Sequence, residues 1–428
     1  MTALGWLALA VFATTYVLIA TEWVHRVAAA VGGAVIVLLI GATDPHRAFY
    51  SSQTGIDWDV VFLLLGMMLI VAVLQRTGGF EWMALWALRR AHGRPFAALA
   101  MLVVTSSVAS AVLDNVTTVL LLAPITIEVC ERLRVRPVPY LIAVAMASNI
   151  GGMATLVGDP PNIIIASRAR LSYLDFLVHL APLAIVLTAV FVGLCWLLFR
   201  PRPTDGTSGA EPVDLTGHGV VRDRALLIKG IAVLSVVTAA FAFHTMLGLE
   251  PSVIALSGGL ILLGISGLEP AKVVADIEWS TLVFFAGLFV IIGSLVETGV
   301  IDLVAQEAST LADGRPVASV FGLLWLSAIL SAFIDNIPYV ATMAPVVSEV
   351  TASSGAGNEL WWVLAMGADL GGNATPVGAS ANVVITGYAA KAGHPISFWE
   401  FTKYGLIVAT VTVAACMPYV WLRYLVGA

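Results

Sequence analysis

Four acidic residues of this chain stand inside apolar stretches, and they are its most chemically demanding side chains. Asp114 opens Asp114-Asn115-Val116-Thr117, and Asp335 opens Asp335-Asn336-Ile337-Pro338. Asp159 lies in Gly158-Asp159-Pro160-Pro161-Asn162, and Asp369 lies just before Leu370-Gly371-Gly372-Asn373. A carboxylate in hydrocarbon costs several kcal/mol unless it meets a partner or a cavity, so intramembrane acids mark ion pathways and proton relays. The chemistry these residues can do is to take up and release a proton or Na⁺. Amides and hydroxyls stand close by in the chain to help bind an ion or solute: Asn115, Thr117, Asn149, Asn162, Asn336, Asn373, Thr375 and Asn382, with the pairs Gly151-Gly152 and Gly371-Gly372. A plainer role is available to some of them, because paired glycines also let helices pack closely and a lone Asn149 or Asn373 can simply bridge two helices. Asp114 and Asp335 recur in register and are read as the proton-coupling pair; Asp159 and Asp369 have no acidic counterparts.

An intramembrane enzyme would need a nucleophile beside a base, or a metal cluster, and no His, Glu or Cys spacing of that kind occurs. Cys130, Cys195 and Cys416 have neither metal-ligand nor disulfide-framework spacing. The expectation is a non-enzymatic protein with no cofactor and no dedicated metal, Na⁺ at the residues above excepted. His179, His244 and His394 read as interfacial, and Trp23, Trp361, Trp362 and Trp399 as an aromatic belt.

The surrounding composition says what must position these groups. Of 428 residues 59% are hydrophobic and only 11% charged, mean hydropathy is +0.96, and soluble domains carry about 25% charge. The net charge of −6 and the lack of a basic run exclude a nucleic-acid partner; the partner is the lipid bilayer. A span needs roughly 20 apolar residues, and about ten such runs occur. They fall at 4–20, 27–40, 60–74, 140–166 and 176–199, then at 225–243, 251–265, 281–296, 360–387 and 401–419. No Lys or Arg precedes the first run, so it reads as a retained span rather than a secretory signal.

The chain repeats itself at an offset of about 221 residues. Gly66 falls on Gly287, Ser110 on Ser331, Asp114-Asn115 on Asp335-Asn336 and Pro124 on Pro345. After the loss of one residue Gly151-Gly152 falls on Gly371-Gly372, Thr155 on Thr375 and Asn162 on Asn382. The expected fold is therefore an all-α polytopic membrane protein of two repeats, 1–200 and 225–428, joined by a polar cytoplasmic linker at 201–224.

Segments 95–129 and 316–347 are apolar but interrupted by Ser, Asp and Asn, and about 35 residues is tight for two ordinary spans. Each reads as a re-entrant hairpin with its polar tip at depth, where irregular backbone requires a protein or cavity lining. Gly-Gly and Pro160-Pro161 break the following spans, exposing N–H groups on one half-helix and carbonyls on the other. With about five crossings per half, the second repeat is inverted. The positive-inside rule supports this, placing about 16 basic residues inside and about 5 outside, with both termini outside.

These motifs resemble the ion-transporter superfamily, in the branch with arsenite efflux permeases, NhaD-type sodium/proton antiporters, the melanosomal P protein and citrate-transporter-like domains. The second-half motifs Asp335-Asn336-Ile337-Pro338 and Gly371-Gly372-Asn373-Ala374-Thr375, with Gly378-Ala379-Ser380-Ala381-Asn382, are especially similar to the P protein members of that branch. The resemblance implies a site between hairpin tips and broken helices and elevator-type movement in a homodimer, and it admits a soluble ATPase partner; the low Lys count and the Ala-, Val-, Gly- and Arg-rich composition fit a bacterial protein of the cell membrane. Relatives that carry dicarboxylates have Ser-Asn-Thr at the tips, whereas here Asp114-Asn115-Val116 and Asp335-Asn336-Ile337 occur. With two acids and no Lys or Arg expected in the site, proton-coupled efflux of arsenite, antimonite or a related small inorganic solute is the leading expectation. A sodium/proton antiporter is the alternative, and a dicarboxylate symporter is less favoured.

Overall fold

The computed structural model describes residues 2–21, 23–51, 54–79, 82, 90, 91, 94–199, 222–312, 316–354 and 357–426. The linker at 201–224 lies outside them except for its last three residues, as does Arg89. Among the described residues the regular structure is helical, without a strand. The first half contains α1 (Ala3–Thr21), α2 (Arg26–Leu39), α3 (Trp58–Gln75), α4 (Pro95–Ser110) and α5 (Asn115–Leu133). It continues with α6 (Pro137–Gly152), α7 (Pro160–Ala169) and α8 (Ala181–Leu198). The second half contains α9 (Arg224–Ala242), α10 (Pro251–Ser266), α11 (Trp279–Glu297), α12 (Pro316–Ser331) and α13 (Asn336–Ser354). It ends with α14 (Glu359–Gly371), α15 (Ser380–Lys391) and α16 (Phe398–Val420).

Local chemistry explains many of the boundaries. Pro95, Pro137, Pro160, Pro182 and Pro251 stand in the first turns of their helices, where a missing N–H costs nothing. Asp57, Asp114 and Asp223 cap α3, α5 and α9 by accepting from backbone N–H groups. The expected span at 176–199 is divided: the short helix Tyr173–His179 ends before Leu180, and Pro182 begins α8.

Five helices are long and apolar enough to cross a bilayer: Trp58–Gln75, Ala181–Leu198, Arg224–Ala242, Trp279–Glu297 and Phe398–Leu425. Ala3–Ile19, Arg26–Leu39, Pro95–Ser110, Pro251–Ser266 and Val317–Ser331 are apolar but shorter. The chain is an all-α polytopic membrane protein. Trp23 and Trp399 are exposed, as belt residues would be, but Trp361 and Trp362 are buried. His179 stacks on Trp362 at 4.5 Å, so this tryptophan pair packs the protein interior instead.

The helices sort into two packed units. One contains α1–α3 with α9–α11, and the other contains α4–α8 with α12–α16. In the first, α3 lies along α10 and, in the matching relation, α11 lies along α2. Gly66 and Gly287 sit at these crossings, where a Cβ would strike the backbone of Ala255 and of Ala30 respectively. Small residues matter here because lipid is as apolar as leucine, so close backbone approach supplies the attraction between helices. In the second unit α4 and α5 form one hairpin and α12 and α13 the other, each packed on a broken helix. The broken helices also exchange partners between halves, α7 packing on α13 and α15 on α5.

Candidate functional site

Matched hydrogen bonds anchor each hairpin to its broken helix. Thr155 Oγ1 donates to Ala111 O at 2.7 Å, and Thr375 Oγ1 donates to Ala332 O at 2.5 Å. The breaks are held shut by asparagines: Asn162 Nδ2 donates to Gly152 O and Thr155 O, and Asn382 Nδ2 to Gly372 O and Thr375 O. These carbonyls, expected to be free after the break, are thus partnered.

Gly151 and Gly371 pack directly on the backbones of Ser107 and Ala328, and Gly152 faces Gly158 as Gly372 faces Gly378. All four glycines are buried and needed for close approach, so the packing role weighed for them is real. Gly371→Ala forces a Cβ into the Ala328 backbone; overpacking costs about 1–3 kcal/mol. A melting temperature several degrees below wild type in detergent is expected, and an unchanged melt would show that α12 yields easily.

The centre of the second unit is a buried network of amides around two acids. Asn115 Nδ2 donates to Asp159 Oδ2 at 2.8 Å and to Asn149 Oδ1 at 3.0 Å. Asn336 Nδ2, from the other hairpin tip, donates to the same Asp159 Oδ2 at 3.1 Å. Asn149 Nδ2 extends the chain to Asn373 Oδ1 at 2.9 Å and Asn382 Oδ1 at 3.2 Å. Both hairpin tips therefore converge on one carboxylate, and Asn149 ties that carboxylate's cluster to the second broken helix. Asp159, Asp369, Asn149, Asn162, Asn373 and Asn382 are all 0% exposed.

Several buried oxygens of this network are without a hydrogen-bond donor: Asp159 Oδ1, both Asp369 oxygens, and Oδ1 of Asn115, Asn162 and Asn336. The Asn162 and Asn336 side chains lie beside Asp369 without bonding it within hydrogen-bond distance. Buried acceptors normally have partners, and an unpaired buried carboxylate needs a proton or a cation. No cluster of His, Cys, Asp or Glu that could hold a metal ion occurs among the described residues; the donor set is one of acids and amides.

Asp114 and Asp335 lie at the edge of this centre. Asp114 accepts from Thr117 N at 2.7 Å and Thr117 Oγ1 at 2.6 Å, forming the α5 cap. Asp335 accepts from Ile337 N at 3.1 Å and from Ser380 Oγ at 2.6 Å. Asp114 also lines a cavity of about 40 Å³ between the two units, with Arg26, Met67, Glu278 and Phe284 on one side and Val116 and Ser380 on the other.

Arg26 corrects the expectation of a site without Lys or Arg. Its Nη1 donates to Ser380 Oγ at 3.0 Å, its guanidinium lies 5.8 Å from the Phe284 ring centre, and it faces the cavity. Sequence reasoning missed Arg26 and Glu278 because both stand at the starts of apolar helices, where a charge reads as a span boundary. The available signal was a basic residue directly adjoining an apolar run of only 14 residues.

The family described as citrate transporter matches residues 16–367, which include both hairpins and Asp159. The chain belongs to that family. Citrate transporter family membership makes it a secondary membrane transporter, and it bears out the resemblance read from the motifs. An uncharacterized transporter of Mycobacterium tuberculosis is 49% identical over 98% of both chains. A 46 kDa membrane protein of Mycobacterium leprae is 50% identical over 98% of this chain and 99% of that one. The human P protein is 32% identical over 96% of this chain, which spans 59% of that longer protein. Among solved structures, the Alcanivorax borkumensis YdaH transporter shares the fold, with a TM-score of 0.59 at 14% identity over 91% of this chain and 88% of that one.

Proposed function

We propose that this member of the citrate transporter family is a proton-coupled permease for a small inorganic solute of the arsenous acid type. The carrying observation is the convergence of both hairpin tips, through Asn115 and Asn336, on the fully buried Asp159. Such a centre changes when one ion binds, and it touches both halves at once. In this reading Asp114 exchanges protons with the cavity directly and Asp335 through Ser380, and Asp159 with Asp369 holds the coupling ion. The unit of α4–α8 and α12–α16 moves against the unit of α1–α3 and α9–α11, within inverted repeats of a homodimer in the bacterial cell membrane. The small cavity supports a small cargo: about 10–15 Å³ admits one water, so about 40 Å³ holds only a few oxygen-sized groups.

A second reading, sodium/proton exchange, is favoured by the unpaired oxygens of Asp159, Asp369, Asn115 and Asn336, because hard cations prefer oxygen donors. Citrate, named by the family description, gains support from Arg26 but exceeds the cavity in this conformation.

Protein in liposomes is to be assayed for proton movement on addition of arsenite or Na⁺. Arsenite-dependent proton flux is expected, reduced at least about tenfold in Asp114→Asn and in Asp335→Asn. Flux driven by Na⁺ alone would replace the permease reading with the exchanger. Wild-type flux in both variants would make the tip acids structural.

A further inference from the structure

Arg26 belongs to α2, in one unit, whereas Ser380 begins α15 and Asp335 caps the α12–α13 hairpin, in the other. Arg26 Nη1 donates to Ser380 Oγ at 3.0 Å, and the same hydroxyl donates to Asp335 Oδ2 at 2.6 Å. This relay runs from one unit, through a hydroxyl, into the tip of the second hairpin. Phe284 lies 5.8 Å from the guanidinium, and Glu278 lines the same cavity as Arg26.

The relay has no twin in the other half. The matching glycine crossings on Ala30 and Ala255 place Pro251, the first residue of α10, opposite Arg26, and the register of Asn162 with Asn382 places Pro160 opposite Ser380. The first half uses a different, uncharged-donor link, Ser167 Oγ to Asp57 Oδ2 at 2.5 Å. Tyr16 adds hydrogen bonds to Pro338 O and Thr342 Oγ1, also at the second hairpin. Links between the units thus occur in both halves, and those that reach the second hairpin come from Tyr16 and, through Ser380, from Arg26. A guanidinium carries five N–H donors, and among the described residues Arg26 makes no other protein hydrogen bond than that to Ser380. The rest face the cavity lined by Asp114 and Glu278.

We propose that Arg26 is a positioning residue that latches the second hairpin tip to the α1–α3/α9–α11 unit through Ser380 and Asp335. A solute entering the cavity meets the same guanidinium, so its oxygen atoms compete with Ser380 for Arg26 and loosen the latch as the site fills. The inference rests on the unit movement proposed above, but its test needs neither solute nor gradient, so failure of proton or arsenite coupling leaves the result readable.

Cys130, Cys195 and Cys416 are buried, so a single thiol introduced as Val116→Cys, which lines the cavity, reports its opening. Labelling by a membrane-impermeant maleimide is to be timed in this background alone and with Arg26→Gln, Arg26→Lys or Ser380→Ala. Loss of a charged hydrogen bond is expected to speed labelling about tenfold in Arg26→Gln, with Ser380→Ala changed in the same direction and Arg26→Lys in between. An unchanged or slower rate in Arg26→Gln, in protein that melts like the parent, overturns the latch. Should Arg26→Gln not fold, an unchanged rate in both Ser380→Ala and Arg26→Lys overturns it equally.

Discussion

Asp159→Asn is expected to lower solute-driven flux by about 100-fold or more while leaving the melting temperature at or above that of wild type. The carboxylate is fully buried, receives Asn115 and Asn336 on Oδ2, and has no donor for Oδ1. Asparagine keeps the shape and one acceptor oxygen but cannot gain or lose a proton or carry a charge to hold a cation. Both bonds to Oδ2 can pass to the asparagine oxygen, so what is lost is the charge that holds the ion; at 1.36 kcal/mol per tenfold, about 3 kcal/mol of lost ion binding is two orders of magnitude. Stability should move the other way, because replacing a buried ionisable group by a neutral isostere removes a desolvation cost. Asp369→Asn should behave alike, since both of its oxygens are buried without partners. Flux in liposomes beside a thermal melt in detergent separates the outcomes. Lost flux with a much lower melt would mark Asp159 as a structural residue, and retained flux would remove it from the ion site.

The second large effect is expected at Asn149. Asn149→Leu keeps nearly the same volume but deletes the bonds to Asn115, Asn373 and Asn382, at 3.0, 2.9 and 3.2 Å. Asn373 and Asn382 then bury oxygens without donors, at about 1–3 kcal/mol each. A loss of roughly 3 kcal/mol or more, with flux falling below a tenth, should follow. A second substitution, Asn373→Leu, should cost less in that background than alone, because residues sharing a partner are not additive. Fully additive losses would show that the network does not act as a unit.

The hairpins and broken helices were legible because their signals are local and occur twice. Ser110, Asp114 and Asn115 interrupt an apolar stretch, Pro160-Pro161 ends another, and the second half repeats the interruptions at Ser331, Asp335 and Asn336. The division at Leu180 was less legible, since Phe176, Leu177 and Val178 run on into the apolar helix that follows with only His179 as a polar interruption. The burial of Trp361 and Trp362 was also hidden. A tryptophan near a span end looks the same whether it meets lipid headgroups or, as here, a neighbouring histidine ring.

The sequence by itself determined a helical membrane protein, the repeat, the breaks and the residue types that gather at them, because hydropathy and helix-breaking act over a few neighbouring residues. Only the tertiary structure decided which of these residues are central. The repeat points equally to Asp114 and Asp335, yet the packing of one hairpin against the other makes the unrepeated Asp159 the meeting point of both tips. It also brings Arg26 to Ser380, 354 positions away in the chain. The physical reason is that such meetings depend on how whole helices dock, where close glycine crossings set the geometry, and no spacing along the chain encodes that distance.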